Sequence, residues 1–312
     1  MKLNPFNNNH VSDLLGDTKY VVICLIVVLM ITPSVSAVER FEHGDTTNKS
    51  DTQQSAKSAK SGWHIDFFDD FETFNTDNWQ DQPIWVNNET HCYVRDNQFG
   101  TREVSNGSIK LKVIDTGKQR SCDNFNKQGE QHPDTQYVAG RIASKNLKEF
   151  VKGKWTARLR VENSGQSGMF PAWWLLGAQN NEPPVQEPDE NVCWPMVGSG
   201  EIDIFEHHSD GGPDHYAARA IESTGKCGGG DWQSLMLVQE AQLAKYHNYS
   251  VEWVGDDVIF RLDEVEVYRL PEEANKLAEP FFAILNFAKI NDSPMTDNWV
   301  MEVDWVKHEA WF

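Results

Sequence analysis

The sequence predicts an all-β domain, a sandwich or barrel built from many short strands. The chain of 312 residues contains 12 Trp and 16 Phe beside 21 Gly and 13 Pro. Bulky rings in a turn-rich chain favour strands over long helices. In addition, short segments between residues 62 and 312 alternate between polar and apolar side chains, and few segments have a helical period. Many short strands with few helices indicate a sandwich or barrel rather than a parallel α/β sheet.

Strands are predicted most clearly where polar and apolar side chains follow a strict two-residue period. Such segments are residues 108–114, behind an Asn-Gly turn, residues 154–161, residues 249–254 and residues 258–262. Only residues 233–245 and 271–278 could hold a helix, the second of them with proline at the first-turn position.

The N-terminal region predicts export. Residues 20–32 form an uncharged apolar run, preceded by Lys19 and followed closely by the tripeptide Val35-Ser36-Ala37. A membrane-spanning helix needs about 20 apolar residues, so this shorter run indicates a signal peptide, residues 1–37, cleaved after Ala37. An uncleaved anchor is the alternative.

Residues 38–61 are polar and predict a flexible spacer, which places the folded domain at residues 62–312. We therefore expect a secreted protein, periplasmic or extracellular, with no stable membrane insertion after signal cleavage.

The cysteines predict disulfide bonds. Cys24 would leave with the signal, and Cys92, Cys122, Cys193 and Cys227 are an even number in an oxidising compartment. Of the three possible pairings, Cys92 with Cys122 and Cys193 with Cys227 are favoured, because each pair brackets a hairpin-sized segment. Zinc ligation is the alternative, but no C-x-x-C spacing occurs.

The overall charge excludes some classes of partner. The chain has 47 Asp and Glu against 28 Lys and Arg, a net charge of −19. Such a surface repels phosphate backbones, so no nucleic-acid partner and no anionic membrane surface is expected. A neutral or cationic partner is favoured.

The segment Gly200–Glu206 carries the catalytic candidates. In a strand, Glu201 and Asp203 share one face and the isoleucines between and after them share the other. Glu206 has the wrong parity for that acidic face. One extra residue at Ile204-Phe205, a β-bulge, would bring it back, and bulges are common beside active sites.

Three adjacent carboxyl groups raise one another's pKa, so at least one tends to stay protonated. Glycoside hydrolysis needs one ionised and one protonated carboxyl group, and a separation of about 5 to 5.5 Å leads to the retaining route. A solvated acidic face and a calcium site are the alternatives. Aromatic residues nearby favour a sugar site: Trp194 precedes the acids, and of Trp173 and Trp174 one is expected in the core and one on the opposite face.

From about residue 63 to 312 the chain resembles glycoside hydrolase family 16. The most specific element is Gly200–Glu206 (GEIDIFE), which is similar to the bulged E-[ILV]-D-x-x-E signature of the laminarinase, agarase and κ-carrageenase branches. Supporting elements occur, in the shared order, at residues 69–71, 87–89, 137–142, 170–176, 246–253, 281–287 and 303–306. The resemblance implies a β-jelly-roll sandwich of two antiparallel sheets with a concave groove for a polysaccharide substrate, and no cofactor for catalysis. We expect a monomer.

The resemblance also implies roles for individual residues. Glu201 would be the nucleophile and Glu206 the general acid and then base, with Asp203 between them holding their pKa values apart. Residues expected to bind the sugar chain are Trp194, Trp174, Asn88, Arg141 and His215. Asp304 and Gly107 match positions of a structural calcium ion, although Asp304 has an alternative as the partner of Lys307 or of a backbone amide.

The function predicted in this way is that of a secreted, retaining endo-1,3-β-glucanase of laminarinase type, with mixed-linkage glucan as a further substrate. The negative charge disfavours a heavily sulfated chain, and the bulged signature disfavours a lichenase of the bacillus type. An agarase or other galactan hydrolase, a glucan-binding protein without hydrolysis and a transglycosylase are the alternatives.

Overall fold

Two β-sheets stacked face to face hold almost all of the regular structure. The computed structural model describes residues 61–181, 194, 199–226, 229–231, 237–272 and 274–312. The strands in this part of the chain are β1 (Trp63–Asp69), β2 (Gln80–Asp81), β3 (Cys92–Tyr93), β4 (Arg102–Val104), β5 (Ile109–Arg120), β6 (Thr135–Ala139), β7 (Arg141–Ala143), β8 (Glu149–Val151), β9 (Gly153–Glu162), β10 (Met169–Gly177), β11 (Gly200–Glu206), β12 (His215–Lys226), β13 (Gly229–Asp231), β14 (Leu237–Glu240), β15 (His247–Trp253), β16 (Val258–Leu262), β17 (Val265–Leu270), β18 (Pro280–Lys289) and β19 (Trp299–Trp311). Short 3-10 turns lie at Gln98–Gly100, Ala178–Asn181, Ser209–Gly211 and Ala274–Leu277.

The first sheet has the strand order β17-β16-β15-β9-β19-β5-β6-β3, with β1 paired to β19 and β4 paired to β5. The second sheet has the order β13-β12-β11-β10-β18-β7-β2, with β14 paired to β12 and β8 paired to β18. Neighbouring strands run antiparallel, except that β3 and β6 are parallel. The predicted fold class, an all-β sandwich of two largely antiparallel sheets, is confirmed.

The four strands predicted from alternation are present as parts of β5, β9, β15 and β16. The helix predicted at residues 233–245 is wrong where it can be compared, because residues 237–240 form β14 and pair with β12. The second predicted helix is reduced to the single 3-10 turn Ala274–Leu277. In both places sheet pairing and packing outweigh a weak local preference for helix.

The core lies between the sheets and is rich in aromatic rings. Trp155 of β9 meets Trp173 of β10 at a ring-centroid distance of 6.0 Å, edge to face. The ring centroids of Phe205 in β11 and Tyr249 in β15 lie 4.7 Å apart. Such contacts join the acid-bearing strand to the opposite sheet, so the apolar side of β11 is fixed by the core.

A disulfide joins Cys92 and Cys122, as predicted. Cys193 and Cys227 lie outside the described residues, and so do the predicted signal peptide and nearly all of the predicted spacer. Among the helices that the structure describes, none has the length and apolar character to cross a membrane.

Candidate active site

The predicted bulge is present in β11. On β10, Trp173 pairs with Phe205 and the next residue, Trp174, pairs with Asp203. Ile204 therefore has no partner on β10 and is the extra residue of the bulge. Across the other edge, two residues of β11 face one residue of β12 between Asp203 and Glu206. The bulge returns Glu206 to the face that carries Glu201 and Asp203, while Ile204 and Phe205 remain in the core.

These three acids line one cavity and are nevertheless almost completely buried. Glu201 is 7% exposed, Asp203 is 1% exposed and Glu206 is 5% exposed. The cavity has a volume of about 730 Å³ and lies on the face of the second sheet that points away from the core. Its floor comes from β10, β11, β12 and β18.

Two loops form a wall of the cavity, residues 85–89 and residues 126–128. The side chain of Asn124 donates to the carbonyl of Ile84 over 3.1 Å, and the amide of Trp85 donates to the carbonyl of Phe125 over 3.2 Å. The Cys92–Cys122 disulfide lies at the base of the second loop. The wall is therefore held to the sandwich by a covalent bond as well as by hydrogen bonds.

The acids contact one another and two further polar groups. Asp203 is in hydrogen-bonding contact with both Glu201 and Glu206. Nε of Arg219 lies 2.6 Å from Oδ2 of Asp203, and Nη2 of the same guanidinium lies 3.0 Å from Oε2 of Glu206. Trp194 donates its indole N–H to Oε2 of Glu201 over 2.7 Å. The middle acid thus links the two glutamates, and each glutamate has a separate donor.

Burial changes the acidity of all three groups. Burial, followed by the charge of Asp203, raises the pKa of Glu206 to about 8, while Arg219 opposes the increase. Burial and the charges of Asp203 and Glu206 raise the pKa of Glu201 well above its usual value. For Asp203 burial raises the pKa and Arg219 lowers it. The cluster therefore keeps a proton at neutral pH, which is the condition for a general acid.

An aromatic and polar floor continues from the acids. Trp174 lies opposite Asp203 on β10 and donates its indole N–H to Oδ1 of Asn286 over 2.8 Å. Asn286 in turn donates to the hydroxyl of Tyr93 over 3.1 Å. The guanidinium of Arg141 lies 5.1 Å from the centroid of the Trp174 ring. These contacts fix the plane of the Trp174 ring beside the acids, an arrangement suited to stacking on a sugar.

Most of the residues singled out in the sequence meet at this cavity. Its lining includes Glu201, Asp203, Glu206, Trp194, Trp174, Asn88 and Arg141. Trp173 is fully buried in the core, so the expected division between the two neighbouring tryptophans is confirmed.

His215 is not among the residues that line this cavity, and its part in binding the sugar chain stays a prediction. It begins β12, and its ring packs against His207 at a centroid distance of 5.2 Å. His207 is completely buried. His215 therefore lies at the strand end, where it contacts another histidine instead of the lining that surrounds the acids.

The predicted calcium site is not supported by the side chains. Asp304 forms an ion pair with Arg158, so its carboxylate already faces a cation, and its partner is neither Lys307 nor a backbone amide. The described residues contain no group of three or more His, Cys, Asp or Glu side chains placed to hold a metal ion. Gly107 occupies a turn with φ of 68°, and a Cβ atom added there would lie 3.3 Å from the carboxylate of Glu72. A structural calcium ion at Asp304 and Gly107 stays a prediction.

Arg219 and Asn286 were missed by the sequence reasoning, although both line the cavity. Each is a single polar residue in an otherwise apolar strand segment, AARAI for Arg219 and AILNF for Asn286. A lone polar residue in such a segment is a usable signal. Assigning it to the acids, however, requires knowledge of which strands are neighbours.

Residues 88–306 match the family described as Glycosyl hydrolases family 16. A curated relative, "Glucan endo-1,3-beta-glucosidase A1" from Niallia circulans, is 25% identical, and the match covers 72% of this chain and 32% of that protein. The chain thus spans about a third of that relative's length.

Two solved structures share the fold. The catalytic domain of an endo-1,3-beta-glucanase (laminarinase) from Thermotoga petrophila is 20% identical, with a TM-score of 0.63 and coverage of 80% of this chain and 99% of that chain. LamAcat from Zobellia galactanivorans is 26% identical, with a TM-score of 0.63 and coverage of 78% and 96%. Both matches span nearly the whole of the compared structures.

Proposed function

Because the chain belongs to glycosyl hydrolases family 16, we propose that it is a secreted, retaining endo-glycoside hydrolase that cleaves internal bonds of a β-glucan, chiefly 1,3-linked glucan. One observation carries the proposal: three buried carboxyl groups on one bulged strand line a single cavity, with the middle acid in contact with both glutamates. The name of the curated relative supports 1,3-β-glucan as the substrate.

The reaction divides between the two glutamates. Glu206 donates its proton to the glycosidic oxygen while the carboxylate of Glu201 attacks the anomeric carbon, so the glycosidic bond breaks as a glycosyl-enzyme ester forms. Glu206, now ionised, takes a proton from a water molecule while the water oxygen attacks the anomeric carbon, so the ester bond breaks and Glu201 leaves as a carboxylate. Burial raises the pKa of both glutamates, so their roles follow from their order in the family signature.

Asp203 supports both steps. It lies between the glutamates and is paired with Arg219, and its charge raises the pKa of both glutamates, which favours a proton on one of them. Trp174 and Trp194 line the cavity beside the acids, and their rings are suited to stacking on sugar units.

The first experiment is a reducing-sugar assay on laminarin, mixed-linkage glucan, agarose and κ-carrageenan with the mature protein and its Glu201→Gln variant. We expect activity on laminarin that is lost in the variant, because the near-isosteric amide cannot act as the nucleophile. Glu240→Gln, an exposed substitution at the end of β14, is the matched control and should keep wild-type activity. Wild-type turnover by Glu201→Gln would overturn the assignment of the nucleophile.

The outcome on the other polysaccharides separates the remaining possibilities. Cleavage of agarose alone would keep the mechanism and change the substrate. A folded protein that binds a glucan without releasing reducing ends would indicate a binding protein. Product analysis by NMR should show the β-anomer first, since a retaining enzyme preserves configuration.

A further inference from the structure

An arginine contacts the acid cluster from the neighbouring strand. Arg219 of β12 is the register partner of Asp203 of β11. Its Nε lies 2.6 Å from Oδ2 of Asp203, and its Nη2 lies 3.0 Å from Oε2 of Glu206. Two nitrogens of one rigid guanidinium therefore hold two separate carboxyl groups at a set distance from each other.

The chemistry of arginine suits this place. The guanidinium stays charged at every pH at which the protein is folded, and its planar fork fixes the direction of each contact. A positive charge so close to a carboxyl group favours the ionised form. The side chain of Arg219 is 19% exposed, and those of Asp203 and Glu206 are 1% and 7% exposed, so water screens these contacts little.

The proposed reaction moves negative charge towards this arginine. Before the attack Glu201 is ionised and Glu206 carries the proton. After the attack Glu201 is a neutral ester and Glu206 is ionised, because its proton has gone to the leaving oxygen. The charge of the cluster is unchanged in sum but has shifted to the carboxylate that Arg219 contacts, so Arg219 favours the glycosyl-enzyme over the starting complex.

We propose that Arg219 is a positioning residue for this reaction, which rests on the function proposed above: it keeps Asp203 ionised, orients the carboxyl group of Glu206 and stabilises the negative charge that Glu206 acquires. This role differs from recognition of the sugar, because the contacts of Arg219 described here are made with the acids.

Other titratable and charged groups also face Glu206. Glu201 and Asp203 lie on the same strand, and His208 follows it. Across the cavity lie Glu89 and Lys127 from the wall loops and Arg141 from β7. Strands β10 and β18 present Phe170, Trp174 and Asn286, which do not titrate. Among the described residues, Arg219 is the cation in ion-pair contact with Glu206.

The first test needs no substrate. Side-chain carboxyl groups of ¹³C-labelled glutamate are titrated by NMR in the wild type, Arg219→Gln and Arg219→Lys, and Glu206→Gln assigns the Glu206 signal. We expect the Glu206 midpoint to move upward by about one pH unit or more in Arg219→Gln and to stay near the wild-type value in Arg219→Lys. The matched control is Arg158→Gln, which removes an arginine paired with Asp304 on the other sheet and should leave the midpoint unchanged. An unchanged midpoint in a folded Arg219→Gln protein would refute the proposal.

The second test follows kcat/KM against pH on whichever polysaccharide the wild type cleaves. In Arg219→Gln the basic limb of the pH profile should shift to higher pH, by the same amount as the Glu206 midpoint. In addition, kcat should fall at least about tenfold, and Arg219→Lys should recover part of that loss. A rise in KM alone, with both limbs in place, would make Arg219 a sugar contact and would overturn the proposal. If the wild type cleaves none of the polysaccharides, the proposed function fails, and the NMR titration still decides whether Arg219 controls Glu206.

Discussion

Replacement of Glu206 by glutamine tests whether the buried acids hold a proton at neutral pH. Glutamine has nearly the shape of a protonated glutamate and carries no charge at any pH. Burial raises the pKa of Glu206 to about 8 in the folded protein, above its ordinary value of 4.5. Between these values the folded state binds more protons than the unfolded state, so the free energy of unfolding falls as the pH rises.

The structure sets the size of this effect. Glu206 is 5% exposed, so its charge is poorly solvated. A pKa increase from 4.5 to about 8 corresponds to a free energy of up to about 5 kcal/mol above pH 8, at about 1.4 kcal/mol per pKa unit. Because three carboxyl groups share the proton and Arg219 compensates part of the charge, we expect about 2 kcal/mol between pH 5.5 and pH 8.5. The free energy of unfolding of Glu206→Gln, relative to that of the wild type, should therefore increase by this amount from pH 5.5 to pH 8.5. This corresponds to about 4–8 °C in Tm.

The assay is urea denaturation followed by tryptophan fluorescence at several pH values from 5.5 to 8.5. Glu240→Gln, an exposed substitution outside the cavity, should keep the same stability difference from the wild type at every pH. A Glu206→Gln variant whose stability runs parallel to the wild type over the whole interval would show that the cluster holds no proton on Glu206.

Two further predictions concern neighbouring parts of the fold. Trp173→Ala should lower the free energy of unfolding by about 3–5 kcal/mol because its ring is fully buried, whereas Trp174→Ala should chiefly raise KM because its ring lines the cavity. Denaturation and kinetics on both variants check this, and equal losses of stability would contradict it. Cys92→Ser should lower the free energy of unfolding by about 3–4 kcal/mol, because the bond to Cys122 closes a loop with a sequence separation of 30. A urea midpoint equal to that of the oxidised wild type would refute the contribution of the disulfide.

The catalytic strand was predictable in detail because its physics is local. Alternation placed Glu201 and Asp203 on one face, and the parity of Glu206 required a bulge, which the pairing of β11 contains. Neighbouring positions on a strand face opposite ways, so one of the two adjacent tryptophans had to be in the core. The short segment between Cys92 and Cys122 favoured their pairing among the three possible ones, and the structure contains that disulfide.

Other features of the structure were not predictable, because they depend on contacts between segments that are distant in the sequence. Residues 237–240 form a strand because β12 offers an edge to pair with. His215 lies against His207, and Asp304 is paired with Arg158, and neither partner follows from local pattern.

The sequence by itself determined the fold class, the acidic strand with its bulge and the chemistry that such a strand can support, because side-chain alternation and carboxyl acidity are properties of a short segment. Only the tertiary structure decided which residues surround those acids. Strand order sets Arg219 beside Asp203 and Glu206, sets Trp174 across from Asp203, and leaves His215 at a strand end. The reason is that burial and the distances between charges, which set the pKa values of the acids, arise only when separate strands pack together.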